Sequence, residues 1–64
     1  MEKCYNYKTV YDAENHVLTY ILIVYNESGI RSRYMFKTLY DEILYIDNLV
    51  YTKHYKINVN ISVD

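Results

Sequence analysis

HVLTYILIVY, residues 16–25, is the stretch whose reading decides the fold. From Tyr20 to Tyr25 every residue is apolar or aromatic. The run is strand-length and far short of the ~20 residues that cross a membrane. Rich in β-branched and aromatic side chains and apolar on both faces, it reads as a central strand covered on both sides.

Turn signals bracket it. Asp12-Ala13-Glu14-Asn15 precedes it and Asn26-Glu27-Ser28-Gly29 follows it. Outside them lie CYNYKTVY (4–11) and IRSRYMFK (30–37), which alternate as half-buried strands do. Both turns read as three-residue loops ending in a left-handed residue, Asn15 in the first and Gly29 in the second. That geometry sets Asp12 opposite His16 and Asn26 opposite Ile30. Counting outward pairs Tyr11 with Val17, Thr9 with Thr19, Tyr7 with Ile21 and Tyr5 with Ile23. On the other side Tyr25 meets Arg31, Ile23 meets Arg33 and Ile21 meets Met35. Side chains alternate across a strand, so all of these share one sheet face.

A helix follows. Thr38 reads as its N-cap with Asp41 three residues on, close to a capping box. Asp41 and Glu42 fall in the first turn, where the helix dipole favours acids. Leu39, Ile43, Ile46 and Val50 form one stripe at helical spacing. From Leu49 to Val63 the odd positions are mostly apolar, and a single strand over 49–63 would fit. Such a strand would be about 50 Å long, whereas a domain of this length is roughly 28 Å across. The helix is therefore expected to end near Thr52 and a last strand to begin near Tyr55. The fold class is α+β: β-β-β-α-β, two layers, an antiparallel sheet with one helix on one face.

The helix stripe is expected to cover Cys4, Val10, Leu18, Tyr20, Leu22, Val24, Tyr34 and Phe36. Ile57, Val59, Ile61 and Val63 complete that face, with Asn58, Asn60 and Ser62 on the other. The face left free then carries Tyr5, Tyr7, Tyr11, Val17, Ile21, Ile23, Tyr25, Arg31, Arg33, Met35 and Lys37. An apolar patch of that extent marks an interaction site, and Tyr, Met and Arg are interface residue types. All of these except Val17 are the candidate partner-binding residues. Burial of this face by a second copy of the chain, with no outside partner, is the alternative. Tyr40, Leu44 and Tyr51 lie off the helix stripe. They read as cover for the sheet edge, with a small second contact patch as the alternative.

Chemistry is sparse. The sequence has one cysteine, Cys4, so no intrachain disulfide forms. Cys4, His16 and His54 lack zinc-site spacing. As a thiol–imidazole pair they are unconvincing, because Cys4 falls on the core face and both histidines flank turns or helix ends. Asp41, Glu42 and Asp47 are explained by the helix dipole and a solvated face. With one glycine there is no phosphate-cradling loop. No catalytic residue, metal or cofactor is expected. Seven basic and eight acidic residues give a net charge of −1. That argues against nucleic acid, whose binders carry a basic excess. Stacking of single-stranded bases on the same tyrosines remains the second reading.

A chain of 64 residues is a single domain and buries only about 60% of its unfolded surface. With no disulfide or metal, association is the remaining staple. The expected partners are a larger protein and/or the chain itself, as a homodimer, with no membrane. The polar MEKCYNYK start and the lone cysteine point to the cytoplasm. Ten tyrosines are the compositional anomaly. They suit strands and interfaces, and AT-rich coding bias explains them as readily. No family motif is present. In size, tyrosine and asparagine bias and lack of catalytic groups, the chain resembles small phage-encoded proteins that block a host enzyme or defence complex. That resemblance implies a non-enzymatic inhibitor acting by steric occlusion.

Overall fold

The computed structural model describes residues 2–58 and has the β-β-β-α-β order. Strands β1 (Cys4–Asp12), β2 (Val17–Tyr25) and β3 (Arg31–Phe36) are followed by helix α1 (Leu39–Asp47) and the short strand β4 (Lys56–Ile57). They form one four-stranded sheet in the order β3-β2-β1-β4 with the helix on one face, a small α+β fold.

The sheet is mixed rather than antiparallel throughout. β4 pairs parallel to β1, with Cys4 opposite Lys56 and Tyr5 opposite Ile57. The cause is the path of the chain. β3 runs in the same sense as β1, α1 returns along the sheet, and β4 sets out again where β1 begins. Residues 59–63, assigned above to the last strand, lie outside the described residues.

The second turn forms as read. Gly29 has φ 79 and its N–H meets the Asn26 carbonyl at 2.9 Å. The Asn26 Oδ1 accepts from the backbone N–H groups of Ser28 (2.9 Å) and Ile30 (3.0 Å). The pairs Tyr25–Arg31, Ile23–Arg33 and Ile21–Met35 follow.

The first turn is one residue longer than expected. Asp12 pairs with Val17, not His16, and the left-handed residue is His16 (φ 53), not Asn15. Local hydrogen bonds explain the longer loop. Asp12 Oδ1 accepts from the N–H groups of Glu14 (3.0 Å) and Asn15 (3.3 Å), and Asp12 Oδ2 from the Asn15 amide (2.7 Å). The Tyr11 hydroxyl lies 3.3 Å from His16 Nδ1. One extra loop residue turns every β1 side chain to the other face. Tyr5 now faces Val24, Tyr7 faces Leu22 and Tyr11 faces Leu18. Tyr5, Tyr7 and Tyr11 therefore lie on the helix side, and Cys4 and Val10 on the open side, the reverse of the sequence reading.

Thr38 caps α1, its Oγ1 accepting from the Asp41 N–H at 3.2 Å. The helix continues through a π-helical turn, Asn48–Thr52, where the Lys53 N–H reaches back to the Asn48 carbonyl at 3.2 Å. Left-handed His54 (φ 62) stops it. The end near Thr52 is thus as expected.

The core joins Tyr5, Leu22, Val24 and Leu49, with Phe36, Tyr45, Ile46, Val50 and Tyr55 packed against them. Burying a side chain such as Leu22 completely stabilises by about 1.5–3 kcal/mol. The Tyr45 ring centroid sits 4.9 Å from that of Tyr34 and 5.6 Å from that of Phe36, which places α1 over β2 and β3. The buried helix stripe is accordingly Glu42, Tyr45, Ile46, Leu49 and Val50. Leu39 and Ile43, expected in the core, are about half exposed.

Candidate functional site

The ten candidate binding residues do not form one surface. Tyr5, Ile21 and Ile23 are buried and offer no area to a partner. The two isoleucines lie on the open face, Ile21 between Lys8 and Met35 and Ile23 between Asn6 and Arg33. Tyr25, Arg31, Arg33 and Met35 remain on the open face, toward the β3 edge, and exposed Lys37 follows just past β3. Tyr7 and Tyr11 are exposed on the opposite, helix-bearing face.

That opposite face holds the larger apolar exposure. β3 pairs only with Tyr20–Tyr25, so the β1–β2 hairpin extends beyond it. The helix lies over β2 and β3, leaving the helix-side residues of β1 and of the hairpin end uncovered: Tyr7, Tyr11 and Leu18. The helix supplies the other wall. Tyr45 points to β3. At about 100° per residue Ile43 lies roughly 160° round from it and Leu39 roughly 120°, on the flank toward β1. Burial first, then the nearby Tyr7, Asp47 and Tyr51, pushes the Tyr5 phenol up. Tyr40, Leu44 and Tyr51 do not cover the sheet edge; all three are exposed, Tyr51 at 78%.

Sequence reasoning missed Leu18, Leu39 and Ile43 as surface residues because each fits an apolar stripe. The displaced signal is Glu42. It is buried beneath the helix with no hydrogen-bond partner for its Oε2, and burial pushes its carboxyl pKa up. Burial first, then the neighbouring Tyr34 phenol, pushes the Tyr45 phenol up to about 12. At the first turn, the Asn15 amide and then backbone N–H groups hold the Asp12 carboxyl below its usual value.

The buried Cys4 thiol lies 3.9 Å from the Asn58 amide. Lys56 pairs with Glu2 at 3.3 Å, and Lys3 with Glu27 at 3.8 Å while sitting over the Tyr55 ring. Glu2, Cys4, Lys56, Ile57 and Asn58 line a shallow cleft of about 220 Å³, below the roughly 300–1,000 Å³ of small-molecule sites. Among the described residues no three His, Cys, Asp or Glu side chains cluster as metal ligands, and no helix is long and apolar enough to cross a membrane. Compared with known protein families, curated proteins and solved structures, the chain shows no match.

Proposed function

We propose that this chain is a non-enzymatic protein-binding module that acts by steric occlusion. Its contact surface is the apolar flank of Tyr7, Tyr11, Leu18, Leu39 and Ile43, and its partner is a larger protein. One observation carries this reading. Among the described residues fourteen large hydrophobic side chains are exposed while seven hydrophobic residues are buried. A small domain tolerates scattered exposed apolar residues, but a contiguous patch is a contact surface. The lack of a basic excess favours protein over nucleic acid. The single buried cysteine suits a reducing cytoplasm, which is the proposed setting.

The test is the double variant Tyr11→Asp, Leu18→Asp. Both side chains are about half exposed, so the circular dichroism spectrum should be retained, with a lower melting temperature because the two acids face each other across the hairpin. Partner capture from the native host should be lost. A folded variant that still captures the partner overturns the assignment. Should the wild type instead be a stable dimer that the variant dissociates, with nothing else bound, the flank is covered by a second copy.

A further inference from the structure

The outer edge of β3 is a second surface of different chemistry. Along β2 and β3, Asn26 and Ile30 form a bonded pair, the Asn26 N–H donating to the Ile30 carbonyl at 3.2 Å. Antiparallel ladders alternate bonded and non-bonded pairs. Counting from Ile30, Ser32, Tyr34 and Phe36 turn their backbone groups toward β2, whereas Arg31, Arg33 and Met35 turn theirs outward. β3 is an edge strand, and all three of those residues are exposed. Their side chains share the open face.

The edge is also basic. Arg31, Arg33 and Lys37 fall within residues 31–37, which contain no acid. Across the sheet Arg33 is followed by Ile23 and Asn6, and Met35 by Ile21 and Lys8, so no carboxylate stands in those rows. Among the described residues Arg33 and Lys37 take part in no ion pair. Basic residues on an edge deter aggregation. The same physics selects the occupant. Two copies of β3 paired about a two-fold axis would set arginine against arginine, and like charges directly opposite destabilise. An acidic strand would meet complementary charge.

We propose that β3 is a docking edge for an extended acidic segment of a partner protein, added to the sheet as a further strand. Asp or Glu at alternate positions would share the face of Arg33, and the apolar residues between them the face of Tyr34 and Phe36. This rests on the reading that the chain binds protein, but it does not use the apolar flank.

The experiment titrates isotope-labelled full chain with an octapeptide alternating glutamate and valine, with its lysine-for-glutamate twin, and with an oligothymidine. The glutamate peptide should bind at least about tenfold more tightly than the lysine twin, as expected from exchanging attraction for repulsion at a few exposed charges. It should also protect the amides of Arg31, Arg33 and Met35 from exchange. Arg33→Glu should shift the preference about tenfold toward the lysine twin. Met35→Pro removes an N–H that points away from β2, so it should abolish peptide binding while the melting profile is kept. Equal binding of both peptides, protection elsewhere, or tighter binding of the oligothymidine overturns the proposal. So does protection of the three amides that rises with protein concentration alone, which marks a second copy. If the glutamate peptide fails while Tyr11→Asp, Leu18→Asp still loses its partner, the edge proposal falls and the apolar flank stands.

Discussion

Glu42→Leu should make the protein more stable, although it removes an acid from the first turn of a helix. Two effects compete at this position. The helix N-terminus favours a carboxylate by about 0.3–1 kcal/mol. Against that, Glu42 is 2% exposed and its Oε2 has no partner. A buried acceptor left unpaired costs about 1–3 kcal/mol, and more when charged. Desolvation wins, which is why the carboxyl pKa rises above 4.5. Leucine fills a similar volume without the orphaned oxygen, for a net gain of about 1–2 kcal/mol at neutral pH. For a domain of this size each kcal/mol moves the melting temperature by roughly 4–8 °C. The gain depends on pH. A raised carboxyl pKa means that the folded chain holds the proton more tightly than the unfolded chain. Wild-type stability from this group is therefore greatest below 4.5 and falls as pH rises through the folded-state value. Glu42→Leu lacks that slope, while Asp12 titrates alike in both proteins and cancels. Urea unfolding followed by far-UV circular dichroism near pH 4 and pH 7.5 measures the difference. A variant less stable than the wild type at the higher pH, or an advantage that does not grow from acid to neutral, would refute the reasoning.

Two further predictions probe the frame of the two surfaces. Gly29→Ala forces a Cβ into a left-handed turn (φ 79) and should cost about 1–2 kcal/mol in urea unfolding. Tyr45→Phe keeps the ring packed against Tyr34 and Phe36, so it should cost no more than about 1 kcal/mol in urea unfolding. It should also remove the phenol that titrates near pH 12 by ultraviolet absorbance. In the wild type the stability tied to that phenol should decline from pH 10.0 upward through about 12, since the folded state keeps the proton longer.

Much of this fold is legible in the sequence. The strands and the helix, Gly29 as the left-handed residue of the second turn, the Thr38 cap and the end of the helix near Thr52 are each written in residues a few positions apart. Alternation, turn chemistry and capping are local, so sequence determines them directly. The candidate surface was less legible, and the reasons are specific. The first turn holds an Asp12–Asn15 network that favours a loop one residue longer, and a single residue moves Tyr5, Tyr7 and Tyr11 to the other face. The helix offered a more apolar stripe through Leu39 and Ile43 than the one it buries through Glu42 and Leu49. Position over β2 and β3, fixed by Tyr45 against Tyr34 and Phe36, settled which one faces the sheet. The direction of β4 likewise follows from where the helix delivers the chain. Sequence alone, then, determined the elements and their order. Tertiary structure decided which faces they turn to one another, because that choice depends on burial against residues distant in the chain.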